Sequence, residues 1–237
     1  MKSKALSEPA SFDEFKRRLT SSWLPAYCHD HGRQYAEAGF RSDSIDIAEI
    51  DGIDCLDAIN KGTVFDVGGG RYRAAMSTAT EPLFWEGSRS EVPRPITLWR
   101  EPVITFAAVG RLARDFSWPK HLLGTQPSGW AFDLAAHSPH DPSRYRILGE
   151  VKKSAFEFWR LASELQQLAL TPRTVKVSEN TRKKWLAIAE LKPRIVWLVG
   201  PARLELVLEV TYGSGDEVSL NEGNASLLHW NAASRSS

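Results

Sequence analysis

Asp133, Glu150 and Lys152 are the residues of this sequence whose types and spacing best suit a chemical reaction. Glu150 and Lys152 are two residues apart, so on an extended strand their side chains lie on the same face. Asp133 falls in a second stretch with strand character, where the alternation places it on one face with the small side chains of Ala131 and Ala135. A hairpin of the two strands would bring two carboxylates and an ammonium group together beside a space that a ligand can enter.

Two carboxylates beside a lysine are the side chains that metal-assisted phosphodiester hydrolysis requires. A divalent ion neutralises the developing charge and generates a nucleophile from water near neutral pH. Mg²⁺ keeps several waters, so one or two acids suffice as its protein ligands. A lysine can orient or deprotonate the attacking water and offset the charge of the phosphate. The same short pattern also fits a surface strand that bears a Glu–Lys ion pair.

The elements that must position these residues are predicted from apolar periodicity, caps and turn residues. Strands over 130–136 and 145–152, joined by a Pro-rich loop, predict a hairpin. The other predicted elements are helices over 102–116, 154–170 and 178–191, and strands over 121–124, 195–199 and 204–210. This order predicts an α/β fold in which a mixed central sheet is flanked by helices.

Residues 1–100 are predicted to form an N-terminal α+β elaboration of unknown role. Ser11 and Glu14 predict the start of a helix over 12–24, and Pro25 should end this helix or start a turn. Gly68, Gly69 and Gly70 predict a hairpin between strands over 63–67 and 71–76. The stretch 77–100, with three prolines, is the predicted connection, so the expected domains are 1–100 and 101–237.

The segments Trp130–Leu134 and Ile147–Ser154 resemble the PD-(D/E)xK nuclease superfamily, whose members share a restriction-endonuclease-like core. The resemblance covers roughly residues 101 to 200, and Phe132 stands where the name of the motif has proline. It implies a Mg²⁺- or Mn²⁺-dependent nuclease acting on DNA, with RNA as an alternative substrate. It further implies that Asp133 and Glu150 hold the metal with the carbonyl of Val151, and that Lys152 acts on the water.

Accessory and binding residues follow from the same resemblance and from the charge pattern. Glu101, at the start of the helix before the first core strand, is a candidate accessory acid, and Gln166 on the helix after the motif is a candidate phosphate contact. Residues 144–203 hold thirteen Lys and Arg against five Glu. A basic surface of this kind contacts phosphates without reading sequence. The predicted nucleic-acid contacts are Lys153, Arg173, Lys176, Arg182, Lys183 and Lys184.

Length and composition exclude several classes of protein. The 237 residues are 42% hydrophobic and 25% charged, which is typical of a folded globular chain. Two cysteines are too few for a disulfide scaffold or a cysteine-based zinc site. The first ten residues lack the apolar region of a secretory signal, and no apolar run approaches the ~20 residues of a membrane span. We therefore expect a cytoplasmic protein without a membrane partner.

A second hypothesis keeps the nuclease-like fold without the reaction. The chain would then be a catalytically silent module that binds nucleic acid or a protein partner in a larger complex. Residues 41–60, with six acids and one Arg, and the Trp-containing stretch 77–100 would be the partner surfaces. The two hypotheses differ in whether the three predicted catalytic groups converge on a cleft. A homodimer is a further expectation that rests on the resemblance alone.

Overall fold

A computed structural model of the chain describes residues 10–31, 36–127, 129, 131–171, 175–213 and 217–230. Within these residues the fold is mixed α/β, and its largest sheet has six strands flanked by helices. No helix among the described residues is both long and apolar enough to cross a bilayer. The predicted fold class is confirmed at this level.

The first helical segment continues through Pro25, so the predicted helix end or turn at this residue is wrong. Helix α1 (Phe12–Arg18) begins at Ser11, whose hydroxyl accepts from the backbone N–H of Glu14, and is followed by a π-helical turn, Leu19–Trp23, and helix α2 (Leu24–His31). Within the π turn the Leu24 N–H bonds to the Leu19 carbonyl.

The other described residues before residue 100 form one further long helix and five short strands. They are α3 (Glu49–Asn60), β1 (Phe65–Gly68), β2 (Arg71–Arg73), β3 (Glu81–Pro82), β4 (Phe84–Glu86) and β5 (Ile96–Leu98). Strands β1 and β2 form the predicted antiparallel hairpin, and β3 extends it to three strands. The predicted connection over 77–100 therefore contains strands, with β4 paired to β5.

The remaining elements build the six-stranded sheet and its covering helices. They are α4 (Arg100–Arg114), β6 (Leu123–Thr125), β7 (Leu134–His137), β8 (Tyr145–Val151), α5 (Ala155–Leu170), α6 (Glu179–Leu191), β9 (Ile195–Val199), β10 (Glu205–Tyr212) and β11 (Val218–Gly223). Short 3₁₀ turns occupy Glu37–Gly39, Ser42–Ile45, Lys120–Leu122, Pro201–Arg203 and Ala225–Leu228. The strand order is β11-β10-β9-β8-β7-β6, and only the β8–β9 pair is parallel.

Each face of the sheet carries its own hydrophobic core. Ile147 and Val151 of β8 point into a core with α3 and α4, while Leu148 points into a core with α5 and α6. The predicted alternation therefore holds along β8. It fails before β7, because Phe132 packs in the α5–α6 core and Leu134 in the opposite one. Strand β7 begins only at Leu134, so residues 131–133 do not follow its period.

Helix α3 is tied to the C-terminal half of the chain by buried carboxylates. Asp54, 1% exposed, pairs with Arg114 of α4 and with Arg203, each at 2.8 Å. Asp51 accepts the backbone N–H of Ala202 at 2.9 Å. Asp51 and Asp54, two of the six acids of the 41–60 stretch, are thus buried and bonded to other parts of the chain. Residues on both sides of residue 100 also contribute to one hydrophobic core.

We predict that Asp54→Asn lowers the free energy of unfolding by about 2 kcal/mol, because Arg114 and Arg203 lose the buried charge between them. Both arginines are partly solvated, which keeps the loss below that of a fully buried pair. Urea unfolding measures the change. Asp46→Asn is the matched control, since its carboxylate pairs with Arg100 at 3.2 Å but is 82% exposed; its effect should stay within about 0.5 kcal/mol. Equal losses in the two variants would contradict the buried role of Asp54.

Candidate active site

Strands β7 and β8 approach each other closely at the predicted motif. Leu134 faces Gly149 in the antiparallel register, and a Cβ atom at Gly149 would lie 2.4 Å from the Leu134 side chain. Only glycine fits this position. The Asp133 backbone N–H donates to the Gly149 carbonyl at 2.9 Å. This bond fixes Asp133, the residue before β7, against the C-terminal end of strand β8. The predicted hairpin is confirmed, and it carries Asp133 to the strand that holds Glu150.

The Asp133 carboxyl group lies against the backbone of the motif. Its Oδ2 accepts the N–H of Val151 at 2.7 Å. Burial, and then the charge of Glu150, raise the pKa of Asp133 well above its ordinary value. The bond from Val151 opposes this rise without cancelling it. Two carboxyl groups therefore share a weakly solvated space, which disfavours a negative charge on both.

Glu150 is the buried centre of the cluster, and two lysines neutralise it. Lys152 Nζ lies 2.6 Å from Glu150 Oε1, and Lys184 Nζ lies 2.9 Å from Oε2. Lys184 also donates to the Ala131 carbonyl at 2.5 Å and lies over the Phe132 ring. A buried carboxylate is tolerated only with such partners.

The burial of Lys184 corrects its predicted role. We expected an exposed phosphate contact, but the side chain is buried and turned inward to Glu150. On α6 it stands one turn from Thr181 and Ile188, both also buried, which is the spacing of an inward face. Lys184 therefore belongs with the predicted catalytic residues in space.

The Lys152 side chain contacts Glu150 and also lines a cleft at the surface. Burial works against its charge, but Glu150 and Asp133 together raise the pKa of its ammonium group. Lys152 lines a cleft of about 100 Å³ between the N-terminal half of α5 and the start of α6, with Glu101, Glu157, Arg160, Leu161, Glu164, Ser178, Asn180 and Thr181. The predicted accessory acid Glu101 thus shares a cleft with Lys152. Asp133 and Glu150 lie behind the lysine.

Glu81 is a buried acid near the site that the sequence did not point to. It lies in β3, inside the stretch predicted as a connection, and burial raises its pKa to about 7. Hydrogen bonds from the Thr125 and Gln126 side chains oppose this rise, while the charge of Glu101 adds to it. Glu81 also raises the pKa of Asp133. A lone Glu before a proline carries no pattern by which we could have found it.

Asp133 and Glu150 are the residues suited to a divalent cation. Among the described residues no group of three or more His, Cys, Asp or Glu side chains is placed to hold a metal. Two carboxylates are nevertheless enough for Mg²⁺, which keeps most of its waters. Burial and the nearby charge of Glu150 raise the pKa of Asp133, and a cation between the two carboxylates would offset both effects. Because both Glu150 oxygens are paired with lysines, a cation would take the place of an ammonium group there.

The other predicted contacts are spread around this centre. Gln166 donates to Glu222 of β11 at 3.1 Å, which holds its side chain away from the cleft. Arg173 lies outside the described residues. The exposed predicted phosphate contacts are Lys153, Lys176, Arg182 and Lys183. Arg182 donates to the Val175 carbonyl at 3.0 Å, and Lys183 pairs with Glu179 at 3.0 Å.

A larger basic pocket lies at the other end of β8. Its volume is about 420 Å³, and its charged lining includes Arg144, Arg146, Lys192 and Arg194. These side chains stand where β8 and β9 begin, whereas Glu150 and Lys152 stand where β8 ends. The basic stretch 144–203 is therefore divided between two ends of the sheet. Asp133 and Glu150 lie at one end, and the pocket at the other end has Asp141 among its lining residues.

Glu81 makes stability depend on pH. Its pKa in the folded chain, about 7, exceeds the ordinary value of 4.5, so its contribution is full below about pH 4.5 and is lost as pH rises through 7. We predict that Glu81→Gln is more stable than the wild type by about 3 kcal/mol at pH 8 and loses this advantage near pH 4.5. Urea unfolding with EDTA present measures both values. The exposed Glu91→Gln should show no such dependence, and a Glu81→Gln difference that is constant with pH would refute the assignment.

The chain matches no protein-family model, no curated protein and no solved structure in the comparisons made. Relatives therefore contribute nothing to the assignment of its activity. The function has to be argued from the geometry around Glu150 and from the chemistry of its neighbours.

Proposed function

We propose that this protein is a Mg²⁺-dependent nuclease that hydrolyses phosphodiester bonds in DNA. The observation that carries the proposal is the convergence of Asp133, Glu150 and Lys152 at the end of β8. The buried Glu150, the partly buried Asp133, a lysine and an adjoining cleft occur together there. These are the groups expected for cleavage assisted by a divalent cation.

The arrangement of elements supports the finer assignment to a restriction-endonuclease-like core. Helix α4 is followed by three antiparallel strands, β6 to β8, then by two helices and the parallel strand β9. Asp133 immediately precedes the second of these strands, Glu150 is the second-last residue of the third, and Lys152 directly follows it. This order agrees with the predicted one, including the helix over 178–191 before β9.

The chain's own residues have distinct roles in the proposed reaction. Asp133 and Glu150 would hold the cation, which when bound neutralises the phosphate and lowers the pKa of water. Val151 fixes the Asp133 carboxyl through its N–H. Lys152, at the cleft, orients the water and offsets the charge of the phosphate. Lys184 holds Glu150 from the buried side, so it positions the carboxylate without touching substrate.

Exposed cations next to the cleft support a nucleic-acid substrate. Lys153 follows Lys152 directly, and Lys176, Arg182 and Lys183 stand before or within the first turns of α6, whose N-terminal residues line the cleft. Contacts from such side chains to phosphates supply affinity without sequence preference. We propose DNA as the substrate and keep RNA as the alternative.

One observation favours the silent-module hypothesis as the second candidate. Both carboxylate oxygens of Glu150 are ion-paired with lysines, so the charge of Glu150 is already neutralised without a cation. A protein that only binds nucleic acid or a partner would keep this arrangement as a structural ion-pair network. The two candidates differ in metal-dependent turnover, which makes cleavage the deciding measurement.

The test is cleavage of plasmid, linear duplex and single-stranded DNA in Mg²⁺, Mn²⁺ or EDTA. We predict metal-dependent cleavage that falls at least about 100-fold in Asp133→Asn, Glu150→Gln and Lys152→Met. The exposed pair Asp13 and Lys16 supplies matched controls, because Asp13→Asn and Lys16→Met change the same groups far from the site. Urea unfolding verifies that each variant is folded. Binding without cleavage by the folded wild type would favour the silent module.

We predict that replacing both Arg182 and Lys183 with Ala weakens DNA binding and makes its dependence on salt less steep. The loss of two phosphate contacts should reduce the slope of log K against log [salt] by roughly 2. Fluorescence anisotropy in EDTA over a range of KCl concentrations measures it. Replacing Lys16 with Ala removes an exposed cation elsewhere and should leave the slope unchanged. An unchanged slope in the double variant would remove these residues from the interface.

A further inference from the structure

An exposed tryptophan, Trp85, and the partly buried Trp99 lie beside the cleft. Trp85 of β4 is 57% exposed, and its ring centroid lies 5.2 Å from that of Trp99 at an interplanar angle of 68°. The two rings line a pocket of about 330 Å³ with Tyr27, Arg71, Pro82, Phe84, Glu86 and Arg94. Its volume lies near the lower end of the roughly 300–1,000 Å³ typical of small-ligand sites. An aromatic pocket that leaves a tryptophan face in water is suited to a flat apolar ligand.

Two short stretches of chain connect this pocket to the proposed active site. Trp99 Nε1 donates to Glu101 Oε2 at 3.2 Å, and Glu101 lines the cleft with Lys152. On the other side, Pro82 lines the pocket and directly follows Glu81, the buried acid near Asp133. The pocket therefore borders the acid cluster through both α4 and β3.

We propose that the Trp85–Trp99 pocket binds an unpaired nucleobase of the substrate, next to the strand that enters the cleft. This inference rests on the proposed function and names its substrate class: DNA with a single-stranded segment. Bases of a duplex are stacked on each other and cannot reach a tryptophan face, whereas an unpaired base can. Stacking on aromatic rings accepts any base, since every base has a π face. The exposed Arg71 adds a positive charge at the rim for the accompanying phosphate.

Binding in EDTA isolates this pocket from the cleavage reaction. The probe is a short fluorescein-labelled single strand, compared with a duplex of the same sequence and with a strand of equal length that lacks its bases. We expect Trp85→Ala to weaken single-strand binding about tenfold or more, because base–aromatic stacking contributes roughly 1–3 kcal/mol per base. Duplex and base-free strands should bind the variant as they bind the wild type. Trp85→Phe, which keeps an aromatic face, should retain most of the affinity.

Trp159 supplies the matched control. It lies on α5, is 54% exposed and packs edge-on against Phe158, outside both the pocket and the cleft. Trp159→Ala should bind every probe as the wild type does. Wild-type single-strand affinity in Trp85→Ala, or an equal loss for the base-free strand, would overturn the nucleobase site.

The outcomes separate this inference from the proposed nuclease activity. If Trp85→Ala binds single strands normally while cleavage still depends on Lys152, the nuclease stands and the base site is wrong. If Trp85→Ala loses single-strand affinity while no substrate is cleaved by the wild type, the base site stands and the protein is a single-strand binder. Urea unfolding verifies that Trp85→Ala and Trp159→Ala are folded under the binding conditions.

Discussion

The burial of strand β8 on both faces is the constraint on which the rest of the structure depends. It lies between two hydrophobic cores and between an antiparallel and a parallel neighbour, so every side chain along its middle must be apolar or small. A charge is tolerated only near its ends. Glu150 takes the position before the last residue of the strand, where it is still buried, and its charge then requires cations from other elements. Gly149 completes the constraint, because β7 approaches too closely there for any side chain.

Compensation of Glu150 draws three elements together. Lys152, which directly follows β8, pairs with one oxygen of Glu150. Lys184 of α6 pairs with the other oxygen and also donates to the carbonyl of Ala131, which precedes β7. The same buried space receives Asp133 and borders Glu81, so carboxyl groups outnumber the two lysines around it. Such an excess of acid in a poorly solvated site favours protons or added cations. The same cluster therefore neutralises Glu150 through the two lysines and attracts further positive charge. The proposed cleavage reaction depends on this attraction for a cation.

The sequence predicted those elements whose signals are local. Ser154 and the stripe of Phe158, Leu161 and Leu165 were sufficient for α5, and the apolar run 195–199 for β9. Errors arose where distant contacts decide. The π turn before Pro25, the start of β7 at Leu134 and the inward direction of Lys184 each depend on packing partners far along the chain. Strand β11 was not predicted, because its six residues are mostly polar and form a strand only through antiparallel pairing with β10. Of the acid cluster, the motif residues were found and Glu81 was not.

The turn after β9 has a consequence for how this chain can be recombined. Ala202 and Arg203 adopt left-handed conformations, with φ of 55° and 60°, which cost energy for residues other than glycine. Carboxylates of α3 hold both residues, and the turn follows Val199, whose carbonyl accepts the backbone N–H of Lys152. A crossover at residue 100 would part Asp54 from both of its arginines and release this turn. The two halves are therefore expected to be exchanged together in recombination. An N-terminal half from another protein would need carboxylates at the positions of Asp51 and Asp54 to hold the turn.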